Sequence, residues 1–363
     1  MAAATAEMVE AAVDGAKTEA FAGKVLGDGA GTFAFVCCAV GDKLGLFKDL
    51  AAHGPQTSAE LAACLGLSER YVREWASCLS TAGYLSYDPS KGRFALPPEH
   101  APVLAQEGGP AFFGGIFQQT GALLTLYEPL LKAFKDGKGI PPSLYGEDIW
   151  KGELRSNDMW HENLLVQTWI PLMPDLKARL EAGARVADIG CGSGKALVRM
   201  AQAFPKSSYV GYDIDPGSVA RAAALAKADG VDGRVRFEVR DLTKGVPHGF
   251  DVITAFDVVH DTADPLGVFT GVRSALNPGG TFMLLEINGA DRLEDNAAPL
   301  GPIFYGISLL FCMSIAVARG GEGLGTAGLH NARVREYAAK AGFASVKRVD
   351  INNPINVLYE VRA

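Results

Sequence analysis

Residues 186–194 read VADIGCGSG, a short apolar run that contains one acid, Asp188, and ends in a glycine-rich turn. The run predicts a buried strand over 184–190, and the residues from 194 to 204 predict the helix that follows it. Glycine adopts backbone angles that other residues avoid and lets a ligand approach the main chain closely. The stretch therefore predicts a strand, a ligand-contacting turn and a helix. The glycines of the turn are Gly190, Gly192 and Gly194.

Strands and helices alternate from this stretch onward. The pattern predicts a doubly wound α/β fold with a seven-stranded, Rossmann-like, mostly parallel sheet. The last strand is predicted to be antiparallel, because the final two apolar segments pair as a hairpin. Strands after the first are predicted over 208–214, 234–241, 250–259, 281–287, 345–351 and 356–362.

A different pattern precedes the sheet. Thr57 or Ser58 can cap one short helix and Ser68 the next, and residues 84–96 predict a hairpin. Helix, turn, helix and hairpin is the order of a winged helix, so a mainly helical winged-helix domain is predicted. The predicted organisation is a helix or tail over 1–20, a winged-helix dimerisation domain over 21–100, linker and lid helices over 101–180, and a ligand-binding domain over 181–363 with a substrate-side insertion over 288–330.

Charge and cysteine usage restrict the possible partners. The formal net charge is -7, and residues 57–100 hold four basic and five acidic side chains, which disfavours nucleic acid as a partner. The six cysteines form no CxxC pair, so no metal site is predicted and reduced thiols in the cytoplasm are expected. We expect no membrane span, since the apolar segment over 303–317 is short and has polar breaks.

The glycine turn excludes two common nucleotide motifs. A GxGxxG dinucleotide fingerprint fails because position 195 is lysine, and no GxxxxGK[ST] loop occurs. The turn reads Asp-x-Gly-x-Gly-x-Gly, which resembles motif I of class I S-adenosylmethionine (SAM) methyltransferases. The segments YVGYDID, EVRDLT, FDVITAFDVVHD and LNPGGTFMLLE follow in the order of that family. With the winged helix, the chain resembles bacterial and mycobacterial winged-helix methyltransferases and, more loosely, plant small-molecule O-methyltransferases.

The resemblance implies a SAM site. Asp213 would accept hydrogen bonds from the ribose hydroxyls, Asp241 would reach the adenine amino group, and Phe256 would line the methionine side. Asp213 as a helix cap and Asp241 as a turn residue are the structural alternatives. The predicted cofactor-binding residues are Asp188, Gly190, Cys191, Gly192, Gly194, Asp213, Ile214, Asp241, Leu242, Phe256 and Asp257.

His260 and Asp261 follow the fourth strand directly, on the ligand side of the sheet. The resemblance to plant enzymes implies that His260 is the base for a hydroxyl acceptor and that Glu286 orients it. Thr262 stands where that family usually has an aromatic residue, and a second supporting glutamate has no match. A structural role for His260 stays open, and His161 is another candidate to reach the site.

These observations predict a SAM-dependent methyltransferase that forms a homodimer. It is expected to O-methylate a small hydrophobic or aromatic molecule, since the segments over 101–170 and 288–330 are rich in aromatic residues. Two alternatives stay open. One is a ligand-sensing winged-helix DNA-binding regulator, and the other is a methyltransferase fold recruited to non-methylating chemistry.

Overall fold

The computed structural model describes residues 13–242 and 245–363, which fall into two compact units. The first unit contains the residues up to 107 together with 111–121, and the second contains 108–110 and 122–363. The elements of the first unit are α1 (Gly15–Lys43), α2 (Leu46–His53), α3 (Ser58–Leu65), α4 (Glu69–Thr81), β1 (Ser86–Asp88), β2 (Arg93–Ala95) and α5 (Ala101–Leu104). Helix α6 (Gly114–Leu123) follows.

Local signals in the first unit act as the sequence indicates. Thr57 caps α3 in a capping box with Glu60, and Gly66 ends the helix in a left-handed conformation. The indole of Trp75 packs edge-on against Phe47 at 5.3 Å between ring centroids. Its Nε1 donates a 2.8 Å hydrogen bond to the carbonyl of Cys37. Helix, turn, helix and hairpin therefore share one apolar core.

The second unit begins with a series of helices. These are α7 (Tyr127–Asp136), α8 (Glu147–Trp160), a π-helix (His161–Trp169) and α9 (Pro174–Ala182). The helices between and after the strands are α10 (Lys195–Ala203), α11 (Pro216–Ala228), α12 (Pro265–Ala275), α13 (Leu300–Leu310), α14 (Cys312–Ala318) and α15 (Asn331–Lys340). Short 3-10 helices are Leu124–Leu126, Pro142–Leu144, Ile170–Leu172, Val259–Asp261 and Leu293–Asp295.

The second unit is built on a seven-stranded sheet, which confirms the predicted fold class. The strands are β3 (Arg185–Ile189), β4 (Ser208–Asp213), β5 (Val235–Val239), β6 (Phe250–Phe256), β7 (Leu276–Ile287), β8 (Ser345–Val349) and β9 (Asn356–Arg362). Their order is β5-β4-β3-β6-β7-β9-β8, with β9 antiparallel to both neighbours and the other pairs parallel. Apolar side chains from β3 and β6 enter a core on each face, so the sheet is covered on both sides.

Strand β7 differs from its predicted bounds. The sequence predicts a turn at 277–280 and a strand from 281, whereas the strand begins at Leu276. Leu276 pairs with Phe250 and Thr281 pairs with Val252, so the intervening residues form a bulge inside the strand. Gly279 in the bulge has a φ of 70°, which an extended strand residue does not adopt.

Two helical stretches, Gly15–Lys43 and Leu300–Ala318, have the length and composition to cross a membrane. Core helices of water-soluble proteins share these properties. In the second stretch Phe304, Cys312 and Ile315 are buried within the second unit. Packing therefore accounts for much of its apolar character.

Candidate functional site

The glycine turn lies at the carboxyl end of β3, between the main chain of β4 and the side chain of Val258. The N–H groups of Gly190 and Cys191 both donate to the carbonyl of Tyr212, at 2.8 and 3.0 Å. Gly190 has a φ of 69°, and a Cβ atom there would overlap the side chain of Val258. Glycine is required at this position for both reasons.

Asp213, at the end of β4, is held against this turn. Its Oδ2 accepts a 2.9 Å hydrogen bond from the N–H of Gly192, and its Oδ1 accepts one of 2.9 Å from the N–H of Asp215. Burial raises the pKa of the carboxyl group, although these N–H groups oppose the shift. Each oxygen has a further lone pair, so the carboxylate can accept bonds from a ligand.

Asp188 and Cys191 are buried beside the turn. The hydroxyl of Thr254 donates a 2.6 Å hydrogen bond to Oδ1 of Asp188. Burial raises the pKa of Asp188 to about 7. Burial also raises the pKa of the Cys191 thiol, which keeps the sulfur protonated and inert.

The glycine turn and the carboxyl ends of β3, β4 and β6 border a cavity of about 600 Å³ within the second unit. Of the predicted cofactor-side residues, Asp188, Gly190, Cys191, Gly192, Asp213, Ile214, Phe256 and Asp257 line it. Among the described residues, Gly194, Asp241 and Leu242 are not part of its wall. Gly194 precedes α10 in a left-handed conformation, and Leu242 packs against the core.

Asp257 lies at the end of β6 in a left-handed conformation, with a φ of 51°. The amide Nδ2 of Asn356 donates to both of its carboxylate oxygens at 2.8 Å. Burial and then the charge of Glu286 raise the pKa of Asp257 to about 7. An uncommon backbone conformation is thus stabilised by a side chain from β9.

Helix α8 and the start of the π-helix supply a wall of the cavity, of which the sequence analysis named His161 but not the residues of α8. The cavity-facing residues of α8 recur at helical spacing, and the signal that could have revealed them is this mixture of polar and aromatic side chains on one face. Asp158 accepts a hydrogen bond from the hydroxyl of Ser193 in the glycine turn, which ties α8 to the turn. The residues of this wall are Trp150, Glu153, Leu154, Asn157, Asp158 and, just past the helix, His161.

Burial shifts the pKa values of Glu153 and His161 in the directions that favour their uncharged forms. Burial, followed by the charge of Asp261, raises the pKa of Glu153 to about 8. Burial lowers the pKa of His161 to about 4, and its ring packs edge-on against Phe256 at 5.0 Å between centroids. In the part of the chain that the structure describes, Nδ1 of His161 has no hydrogen-bond partner. At these two positions the burial of the wall therefore favours neutral polar groups.

His260 lies in the 3-10 helix after β6, fixed between two carboxylates. Its Nδ1 is 2.6 Å from Oε2 of Glu286, and its Nε2 is 3.1 Å from Oδ1 of Asp261. Burial opposes a charge on the ring, but Asp261 and Glu286 outweigh it and raise the pKa of His260 well above its usual value. Asp261 lines the cavity, whereas His260 is 3% exposed and lies behind it.

Comparisons with known proteins agree with this architecture. Residues 180–305 match a family model described as "Methyltransferase domain", and residues 32–106 match the model of the Rv2258c-like winged HTH domain. The chain is 35% identical over 106 residues to a ubiquinone biosynthesis O-methyltransferase of Xanthomonas campestris pv. campestris, which is 29% of this chain and 44% of the relative. The match thus spans less than half of that relative's length.

Solved structures extend the likeness over both units. Human N-acetylserotonin methyltransferase in complex with SAM is 18% identical, with a TM-score of 0.67 over 97% of this chain and 99% of that chain. The mitomycin 7-O-methyltransferase MmcR is 19% identical, with a TM-score of 0.66 over 96% and 100%. At this identity the likeness establishes the fold.

Proposed function

We propose that this protein, which carries a methyltransferase domain behind a winged HTH domain, transfers the methyl group of SAM to a hydroxyl group of a small apolar molecule. One observation carries the proposal. Within the matched domain, the carboxylate of Asp213 is bonded to the N–H of Gly192, and both residues line the cavity at the strand ends. This arrangement offers acceptor oxygens to a ribose beside the main chain of the glycine turn.

The residues of the wall fit SAM. When bound, SAM supplies a methyl group on a positively charged sulfonium. The carboxyl groups of Asp213, Asp257 and Asp261 line the cavity, and a cation bound there would stabilise their ionised forms. The left-handed glycines let the turn pack closely against side chains such as Val258 and Leu154, and Gly190 and Gly192 line the cavity. Asp188 lines the cavity beside the turn, and Gly194, Asp241 and Leu242 would support the same site from behind its wall.

The acceptor end of the cavity is aromatic. The rings of Trp150 and Phe311, which both line the cavity, meet edge-on at 5.3 Å between centroids, and Tyr145 meets Phe311 at 5.5 Å. The hydroxyl of Tyr145 donates to the carbonyl of Leu310, which fixes the cluster. Such a wall favours a flat apolar acceptor and excludes water from the reacting atoms.

We assign proton removal from the acceptor to His260, which lies behind the cavity wall at Asp261. Because Asp261 and Glu286 raise the pKa of His260, only the neutral form of its ring can act as the base. Its ring is oriented through Nδ1 by Glu286, and Nε2 faces Asp261 at the cavity wall. The sulfonium of SAM is an excellent leaving group and needs no activation. The base is needed only at the acceptor, where its fixed position lets it accept the hydroxyl proton. The lid role of the helices over 101–180 and the substrate-side role of the insertion over 288–330 stay part of the proposal. Trp150 and Phe311, one from each segment, line the cavity and support it.

The first unit is proposed to form a homodimer interface in the cytoplasm, away from membranes. Helix α1 leaves Phe21, Leu26 and Phe33 between 66% and 75% exposed, which supports a partner of the same kind. Size-exclusion chromatography with light scattering should show a dimer, and a monomer at working concentration would contradict this role. Cell fractionation would test the location.

Calorimetric titration with SAM and S-adenosylhomocysteine tests the main proposal. Micromolar binding of both is expected, followed by transfer of labelled methyl from SAM to members of a phenol and hydroxyquinone panel. The absence of binding of either compound would overturn the proposal. Binding without transfer to any acceptor of the panel would favour the recruited-fold alternative.

A further inference from the structure

Three potential metal ligands from two segments of the chain meet beside the cavity. His260 and Asp261 belong to the 3-10 helix Val259–Asp261, and Cys312 is the first residue of α14. A ring nitrogen of His260, a carboxylate oxygen of Asp261 and the sulfur of Cys312 all lie within 4.8 Å of one another. We call these three side chains the His–Asp–Cys cluster.

The spacing of the cluster suits one small ion. A tetrahedral zinc ion has bonds of about 2.0 to 2.3 Å, which places its ligand atoms roughly 3.3 to 3.8 Å apart. The Nε2 atom of His260 and Oδ1 of Asp261 are already 3.1 Å apart. Side-chain adjustments of about 1 Å would therefore bring all three ligand atoms to a shared ion.

The two softer ligands are each held by a further residue. Glu286 contacts Nδ1 of His260 at 2.6 Å, which directs Nε2 toward the cluster. The hydroxyl of Thr326 donates a 3.0 Å hydrogen bond to Sγ of Cys312. A carboxylate behind a histidine and a hydrogen bond to a thiolate are common supports of metal ligands.

The polar atoms of the cluster already contact one another. The Oδ1 atom of Asp261 is buried and lies 3.1 Å from Nε2 of His260, without a well-directed hydrogen bond among the described residues. A divalent ion would interact with this oxygen, the nitrogen and the sulfur at once. Asp261 also lines the cavity, so an ion has a route from solvent.

We propose that His260, Asp261 and Cys312 bind a divalent ion of the zinc type, with the fourth coordination position open to the cavity. A set of one nitrogen, one oxygen and one sulfur suits this class of ion better than Mg²⁺ or Ca²⁺, which prefer oxygen. The ion would use Nε2 of His260, the same atom that proton removal requires. Ion binding and the base function therefore exclude each other, and the ion is an inhibitor of methyl transfer.

Titration of the chelator-treated full chain with Co²⁺ tests this site without SAM or an acceptor. Cobalt replaces zinc in such sites and absorbs light according to its ligands. We expect a thiolate-to-cobalt charge-transfer band and the visible bands of a tetrahedral ion, both saturating at one equivalent. Cys312→Ser should remove the charge-transfer band, whereas Cys64→Ser, at an exposed thiol of the first unit, should keep it.

Two results would overturn the site. One is the absence of a saturable band in the unmodified protein, and the other is a band that Cys312→Ser retains. If the Cys312→Ser chain does not fold, Asp261→Asn decides, because it keeps the thiol and should weaken cobalt binding about 10-fold or more. Unchanged affinity in that variant would contradict the proposal. Loss of SAM binding would count against the proposed function and leave the cobalt result untouched.

Discussion

The two sides of the cavity are constructed differently. The cofactor side comes from β3, the glycine turn and β4, which are close in sequence and joined by main-chain hydrogen bonds such as Gly190 N–H to Tyr212 C=O. The reacting side brings together α8, the 3-10 helix at 259–261, the end of β7 and the start of α14. A local turn leaves a readable pattern in the sequence, whereas a tertiary assembly does not. Binding is expected to depend on the first side and chemistry on the second.

The largest effect should come from the reacting side. His260→Gln removes the proposed base while its amide can still bond to Glu286, so turnover should fall by about 100- to 10,000-fold. SAM affinity should stay within about threefold by calorimetry, since the cofactor side is unaltered. The matched control is His248→Gln, at an exposed histidine bonded to the carbonyl of Ser274. Unchanged turnover in His260→Gln would remove the base assignment.

Asp213→Ala should have the opposite pattern to His260→Gln, because it alters SAM binding on the cofactor side. Two charge-assisted hydrogen bonds to the ribose are lost, so SAM affinity should fall by about 100-fold or more. Asp229→Ala is the control, because Asp229 lies past the end of α11 and pairs with Arg199. Micromolar SAM binding that survives in Asp213→Ala would contradict the ribose contact and weaken the division between the two sides.

Gly190→Ala tests whether the turn is held by packing as well as by backbone conformation. The variant should lose about 3 kcal/mol of unfolding free energy, from left-handed strain and from overlap with Val258. Gly230→Ala has a similar φ of 68° with open space around it, and should lose about 1 kcal/mol. Denaturant unfolding measures both, and equal losses would show that Val258 imposes no constraint.

Asp188→Asn should stabilise the ligand-free protein in a pH-dependent way. Because the pKa of Asp188 is raised from 3.8 to about 7, its ionisation lowers native stability as pH rises through that interval. Asparagine keeps an acceptor for Thr254 and cannot ionise. The gain in unfolding free energy should be absent near pH 4 and approach about 2 kcal/mol at pH 8. It is smaller than the whole pKa shift would give, because the cavity admits water. A constant difference across pH, measured by urea unfolding, would contradict this account.

The sequence predicted what local pattern and strand order encode. The seven strands, the antiparallel β9 and the glycine turn are of this kind, because apolar periodicity and glycine spacing are written in neighbouring residues. The position of Asp213 was predicted by the same logic, and its role in binding stays a prediction. His161 was named from the sequence as a candidate and lines the cavity from the π-helix. Glu153 lines the cavity through the orientation of α8, which no residue near the turn reveals. Cys312 stands about fifty positions from His260, so no motif could have connected them.

Strand β9 has a consequence for the order of assembly. It lies between β7 and β8 in the sheet but follows both in the chain. Strand β8 therefore cannot join the sheet until β9 has formed between it and β7. Asn356, the first residue of β9, also holds Asp257 across 99 positions of sequence. The left-handed conformation of Asp257 at the cavity wall is therefore stabilised by Asn356 only once β9 has joined the sheet. A ligand that binds this wall binds the complete sheet better than any form in which β9 is unpaired. It therefore stabilises the last step of folding.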